Sequence, residues 1–355
     1  MTRPRCAVST TKTPEGGTLM DRRRKHWRTP RKIIVALVLF GILLFLWRTA
    51  KAQEPTLHGV YNALSGSMAP IWVAQEAGLF GKHGVTVDLK YLAATSAVQG
   101  MVGGSDDVGL VGSQGIDAKL EGADLVYVAS AIQTFVFHLY AQPQINSVAD
   151  LKGKVVAVTQ PAASTDYAAR IALSRFGLTP DKDVKILYSG NISALLTAVQ
   201  SGNAAAGIMS APTTLQAKAS GLKPILNITG LKIPILFVGV LTSPKVVREK
   251  NEALTRFLRA HIEAISVIRR DKEATIKSLK KYLKTDDYNV LDAVYEEYKD
   301  VFPQVPLMTA AEVKGVLDVA KSPRAKQTRP EEFFDNSLMQ KIQSSGFTDS
   351  LYGKR

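Results

Sequence analysis

Hydroxylated residues recur in this chain at strand-to-helix junctions: Ser65 and Ser67, Ser96, Ser113, Ser164 and Thr165, Ser189, and Ser210. Each lies between a short apolar run and a segment with apolar residues at helical spacing. Such a turn leaves the first N–H groups of a helix unpaired, and together with the hydroxyls they can hold a small polar or anionic solute by hydrogen bonds. The chemistry implied is recognition rather than bond making. The five histidines, His26, His58, His83, His138 and His261, are scattered without metal-ligand spacing, and no Gly-x-Ser-x-Gly elbow is present. Cys6 is the only cysteine, so cysteine catalysis has no thiol outside the first few residues. A plainer reading stands beside the recognition one: Ser164 or Thr165 could cap a helix, with Asp166 favoured in its first turn.

The elements that would carry these junctions form two similar series. In residues 154–228, runs at 155–158, 184–188 and 205–209 read as buried strands, each followed by a helical stretch closed by Gly177, Gly202 or Gly221, with a further strand at 224–228. This βαβαβα order predicts a parallel sheet, with ligands held beyond the strands' carboxyl ends. The first half repeats the plan with strands at 57–61, 85–89 and 108–111 and Pro70 in the first turn of its first helix. Extended runs at 125–132, 135–141 and 235–241 predict two crossings between the units, near Gln142 and Pro234, which would act as a hinge. Beyond Pro244 the chain turns helical, with Leu254, Phe257, Leu258, Ile262 and Ile265 on one face and a capping box at Thr309 to Glu312. Residues 321–330 read as a polar, mobile loop.

The formal charge of +14 is not a nucleic-acid signal. Residues 1–52 hold 12 basic and 2 acidic residues, leaving 33 and 29 for the remainder. That leader has a basic region, 15 uncharged residues from Ile33 to Trp47, and Ala50-Lys51-Ala52 as a small-x-small cleavage site. The expectation is export to the periplasm with cleavage after Ala52, the alternative being retention as an N-terminal membrane anchor. Met20 is an alternative start.

Several stretches resemble the solute-binding proteins of ABC importers of the nitrate/sulfonate/bicarbonate type, the NMT1/THI5-like family. They are Pro70-Ile71-Trp72-Val73-Ala74-Gln75-Glu76-Ala77-Gly78-Leu79-Phe80 with Gly84-Val85, Asp150-Leu151-Lys152-Gly153-Lys154, Ser164-Thr165-Asp166-Tyr167-Ala168-Ala169-Arg170, Gly177-Leu178-Thr179-Pro180-Asp181-Lys182-Asp183-Val184, and Ala198-Val199-Gln200-Ser201-Gly202. The resemblance covers residues 55–245 well and the C-terminal helices only in character. It implies an α/β, type II periplasmic-binding-protein fold, two α/β lobes joined by a two-crossing hinge with extra C-terminal helices. Residues 53–141 and 235–355 would form lobe 1 and residues 142–234 lobe 2. It further implies a monomer that captures a small polar or anionic organic solute and delivers it to a membrane permease and its ATPase, with no cofactor, metal or nucleic acid. The family's site positions are matched by Ser65, Ser67 and Met68, by Ser113, and by Ser164, Thr165, Asn191 and Ser210, with Thr134 beside the first crossing as an addition. Tyr188, at a strand's carboxyl end, is placed with them, core packing being its alternative. Tyr61, Trp72, Phe135 and Tyr167 are further aromatic residues that could wall the site or simply fill cores. No Lys or Arg sits at the junctions, so an anion there would rest on N–H groups and hydroxyls. The rival readings are a membrane-tethered sensor module, a THI5-like pyrimidine-related enzyme, whose Cys and His have no match here, and a regulator's effector domain, which lacks its DNA-binding segment.

Overall fold

A computed structural model describes residues 54–353. The expected leader, its apolar run and the expected cleavage site lie outside the described residues. In chain order the strands are β1 (Thr56–Tyr61), β2 (Thr86–Tyr91), β3 (Val108–Val111), β4 (Val126–Thr134), β5 (His138–Ala141), β6 (Val155–Val158), β7 (Lys185–Tyr188), β8 (Ala206–Met209), β9 (Lys223–Asn227) and β10 (Pro234–Thr242). The helices that follow β1, β2 and β3 are α1 (Ala69–Glu76) with α2 (Leu79–Lys82), α3 (Ala94–Val102) and α4 (Gln114–Leu120). Those following β6, β7 and β8 are α5 (Ser164–Arg175), α6 (Ile192–Gln200) and α7 (Thr213–Ala219). After β10 come α8 (Pro244–Glu249), α9 (Asn251–Arg270), α10 (Lys272–Leu283), α11 (Tyr288–Tyr298), α12 (Ala310–Leu317), α13 (Ser337–Ser344) and α14 (Phe347–Leu351).

Two five-stranded sheets result, ordered β2-β1-β3-β10-β4 and β7-β6-β8-β5-β9. Short uncharged runs make their central strands: VGLV in β3 and AGIM in β8 are buried throughout, as a strand covered on both faces requires. The wholly parallel sheet expected for the second series is not what forms. β6 pairs in parallel with β7 and β8, but β5 lies antiparallel between β8 and β9, as β10 lies antiparallel between β3 and β4. Parallel neighbours need a crossover connection, whereas β5 and β10 arrive from the other sheet without a crossover helix and so enter in the opposite sense.

The first crossing is the short segment 135–137, ahead of β5, rather than the neighbourhood of Gln142. Gln142 lies past β5, with its N–H on the Ala205 carbonyl within the second sheet's region. β5, grouped by sequence with the first lobe, therefore pairs in the second sheet. At the crossings Phe137 and Phe237 pack edge to face at 4.8 Å, with Phe135 against both.

The helices after β10 cover the first sheet. In α9, Leu254, Phe257, Leu258, Ile262 and Ile265 are fully buried, and α9 and α10 pack on α1. The capping box of α12 is formed by Thr309 and Glu312, and the Glu312 carboxylate also accepts from Ser130 on β4. That helix lies so close to β10 that a Cβ on Gly315 would collide with the Pro234 carbonyl oxygen, which only glycine avoids. The stretch expected as a mobile loop is anchored instead: Arg324 donates to the Leu120 carbonyl at 3.0 Å and Ala325 is buried. Its two short 3-10 turns supply the local hydrogen bonds that its polar composition did not reveal.

Candidate ligand-binding site

A cavity of about 340 Å³ opens at the carboxyl ends of the parallel strands, between the two sheets. The loop after β1 supplies Asn62 to Ser65, Ser67 and Met68, the turn after β2 supplies Tyr91, Ala93 and Ala94, and the turn after β3 supplies Gly112 and Gln114. From the second sheet come Thr159 and Ala163 to Thr165 after β6, Gly190 to Ser193 after β7, and Ser210 after β8. Phe137, Phe237 and Val238 close it at the crossings. Its position is the one that open α/β sheets offer to ligands.

Of the residues expected from sequence, Ser65, Ser67, Met68, Ser164, Thr165, Asn191 and Ser210 line this cavity. Ser113, Thr134 and Tyr188 do not. The Ser113 and Thr134 hydroxyls are buried without a partner among the described residues. Tyr188 turns its hydroxyl to the Arg170 guanidinium, 3.1 Å away. Ser96 and Ser189 stay off the wall as well. The aromatic walls also differ from expectation. Tyr61 packs against Trp72, which stacks on Tyr282 at 5.0 Å, and the Tyr167 hydroxyl donates to the Asp117 carboxylate. The rings that do line the cavity are Tyr91, Phe137 and Phe237.

The hydroxyls are largely committed to one another. Ser65 Oγ lies 3.3 Å from Ser210 Oγ and 3.0 Å from the Tyr298 hydroxyl, joining the β1 loop, the β8 loop and α11 at one point. Thr165 Oγ1 accepts from the Thr159 N–H at 3.0 Å, with Thr159 Oγ1 2.7 Å away. Ser164 Oγ donates to the Phe237 carbonyl at 2.9 Å. Neither is the helix cap: that position is Ala163, in extended backbone, with Ser164 the first helical residue. Asn191 is a cap in the ordinary sense, its Oδ1 accepting from the Ala194 N–H at 3.0 Å. Among the described residues no charged side chain lines the cavity.

Charged groups stand just behind it. Burial pushes the Glu297 carboxyl up to about 7, although the Ala211 N–H donates to it at 3.4 Å. Burial likewise pushes Asp117 up to about 6 against the pull of the Tyr167 hydroxyl. Asp166 is also raised, chiefly by burial, while Arg170 beside it works the other way. Three contacts tie the two sheets' loops together around the cavity: Thr95 Oγ1 on Gln160 Oε1 at 2.9 Å, Tyr167 on Asp117, and Ser65 with Ser210. Tyr91, Gln114, Phe137, Phe237, Glu297 and Tyr298 were not among the expected site residues. Only Gln114 carried a sequence signal, as the first polar residue after Ser113 at a helix start.

Known proteins share this architecture. Residues 65–274 match the profile of the family described as NMT1/THI5 like. A protein of Brachyspira hyodysenteriae, named as an ABC transporter periplasmic binding protein, is 24% identical over 169 residues, 47% of this chain. The match spans 46% of that relative's length, about half of it. Among solved structures, the alkanesulfonate-binding protein SsuA from Xanthomonas axonopodis pv. citri, bound to MOPS, superposes with a TM-score of 0.64 at 20% identity, covering 82% of this chain and 98% of that one. The periplasmic nitrate-binding protein NrtA from Synechocystis PCC 6803 gives 0.66 at 15% identity, covering 84% and 91%. The fold is that of the periplasmic binding proteins. The chain belongs to the NMT1/THI5-like family.

Proposed function

We propose that this chain is the extracytoplasmic solute-binding component of an ABC importer, which captures a small polar organic solute between two lobes and presents it to a membrane permease served by an ATPase. The observation that carries the reading is the uncharged cavity at the carboxyl ends of both sheets, ringed by contacts that join one sheet's loops to the other's. In this reading β1 to β4 with β10 and the C-terminal helices form one lobe, β5 to β9 the other, and segments 135–137 and 228–233 are the hinge. Ser65, Ser67, Met68, Ser164, Thr165, Asn191 and Ser210 contact the solute, which family membership and their place in the cavity wall both support. Binding without chemistry fits the lining, where hydroxyls pair with hydroxyls or carbonyls and, among the described residues, no His, Lys or carboxylate stands as a base. The leader would direct export to the periplasm. Among the described residues no helix is long and apolar enough to cross a membrane.

The test is small-angle scattering of the protein with and without solutes found by a thermal-shift screen, since a ligand at 100 times its dissociation constant stabilises by about 2.7 kcal/mol. A solute that saturates the protein and reduces its radius of gyration is the expected result. Saturation with no change in radius argues against closure.

A further inference from the structure

Because Ser65, Ser210, Ser164 and Thr165 already have partners within the protein, the groups free to choose a solute are fewer than the lining suggests. The main one is Gln114. It is 7% exposed and lines the cavity, and its Oε1 is buried with no partner among the described residues. The missing side chain of Gly112 lets two side chains close in on its backbone: the point where a Cβ would sit, too tight for one, lies 2.8 Å from Gln114 Oε1 and 2.6 Å from Ser164 Oγ. Since the Ser164 proton is engaged by the Phe237 carbonyl, its oxygen has only lone pairs to offer there. Two acceptors thus flank the wall beside Gly112, and Gln114 Oε1, the unpartnered one, requires a donor from the solute.

Donors stand close by. The N–H groups of Ser164 and Thr165, at the start of the 12-residue helix α5, have no backbone acceptor among the described residues. The rest of the wall carries the rings of Tyr91, Phe137 and Phe237 and the Met68 side chain, with Asn62, Ser67, Thr159, Asn191 and Ser193 as its other polar residues. A fully ionised oxyanion carries acceptors alone. It would leave Gln114 Oε1 unpaired, face the lone pairs of Ser164, and meet no cationic side chain among the described residues of the wall.

Resting on the importer reading above, we propose that the solute is a neutral primary carboxamide on a flat apolar body. Its NH₂ is directed to Gln114 Oε1 and Ser164 Oγ, and its carbonyl oxygen to the free N–H groups at the start of α5. Gln114 is then the residue that sets specificity, reading a head group that offers a donor and an acceptor side by side.

Calorimetric titration of the full chain with benzamide, benzoate, benzenesulfonate and nitrate tests this, since the first three share one body and differ in the head. Benzamide is expected to bind at least about tenfold more tightly than any of the anions, because a site with buried acceptors rejects an analogue lacking the donor. Gln114→Leu should erase that preference, weakening benzamide about tenfold while benzoate tightens, since no unpaired acceptor then faces it. Should that variant fail to fold, Gln114→Asn, shorter by one methylene, carries the same expectation for benzamide. An anion that equals benzamide, a preference that survives both substitutions, or no benzamide binding at all overturns the proposal. An anion that binds and compacts the protein removes the carboxamide while keeping the importer reading. Benzamide that binds without compaction does the reverse.

Discussion

Tyr167 on α5 and Asp117 on α4 meet across the boundary between the two sheets, the phenol donating to the carboxylate. One partner belongs to the first sheet's helices and the other to the second's, so separation of the proposed lobes would break the bond. Glu297 is placed in the same way, on α11, with the Ala211 N–H of the β8 loop donating to it.

In the importer reading proposed above, both carboxyls would make closure of the lobes dependent on pH. Burial raises Asp117 to about 6 and Glu297 to about 7, and an open cleft would return them toward the ordinary carboxylate range of about 4. An acid whose closed-state pKa is raised favours closure in its neutral form. Closure is then strongest below the open-state value and weakens as pH rises through about 6 and 7. Asp166 and Glu121 add negative charge near Asp117, and Tyr298 and Tyr140 are the titratable groups at Glu297. Solute affinity should therefore rise by about tenfold or more between pH 8 and pH 5.5, a gain of at least about 1.4 kcal/mol in binding free energy. Glu297→Gln should remove most of that rise and Asp117→Asn a smaller, several-fold part. A dissociation constant flat across this range in the unsubstituted protein would refute the coupling.

The junctions were legible in sequence because strand, small-residue turn and helix alternate with different periods. That is why seven of the expected residues line the cavity. Residues supplied by distant chain were not legible. Tyr298 reaches Ser65 across 233 positions, and Glu297 reaches Ala211 across 86. Phe137 and Phe237 looked like ordinary strand residues until the crossings placed them side by side. A hydroxyl at a helix start also says nothing of its partner. Ser164 read as a cap, a ligand contact or both; it is not the cap, and its proton goes to the Phe237 carbonyl on β10.

That bond sets the expectation for substitutions there. Ser164→Ala leaves the Phe237 carbonyl, in a buried setting, without its donor, so the ligand-free protein should lose about 1–3 kcal/mol of stability. Thr165→Ala removes the acceptor of the Thr159 N–H and should cost about 1 kcal/mol. Solute affinity in the double variant should fall by at least about tenfold, or about 1.4 kcal/mol. Paired measurement of melting temperature and dissociation constant separates the two effects. Affinity that is unchanged despite lower stability would confine both residues to scaffolding.

His261 stands apart from the site. It lies in α9 at 1% exposure, with neither ring nitrogen partnered among the described residues, and burial lowers its pKa to about 4. A base depressed in the folded state is protonated first in the unfolded one. Stability should therefore fall as pH drops from about 6.5 toward 4, by up to about 3 kcal/mol. His261→Leu should abolish that share of the acid sensitivity and raise the urea midpoint at pH 7, since it replaces unpaired polar atoms by apolar ones. Urea titrations at pH 7 and pH 5 on both proteins decide it, and an equal acid loss in the two would rule His261 out as the cause.

Asp166 and Arg170 together shape the loop before α5. Arg170 Nε donates to Asp166 Oδ1 at 2.8 Å and its NH1 to Asp181 at 2.9 Å, while Asp166 Oδ2 accepts from the Ala162 N–H at 3.0 Å. Asp166 is 2% exposed and Arg170 8%, so removing one partner leaves a buried charge uncompensated. Arg170→Met should then cost about 3–5 kcal/mol, far more than a surface ion pair is worth. Changing both residues together should cost less than that single change, because no buried charge remains. The loop itself provides an internal control. Ala162 holds φ at +60°, a conformation that burdens a residue with a Cβ by about 1–2 kcal/mol. Ala162→Gly relieves that strain but loosens the unfolded chain, so it should stabilise by less than about 1 kcal/mol. Chemical denaturation of the three variants checks the set: an Arg170→Met loss no greater than that of the double variant would show that the charge on Asp166 is not what Arg170 is there to balance.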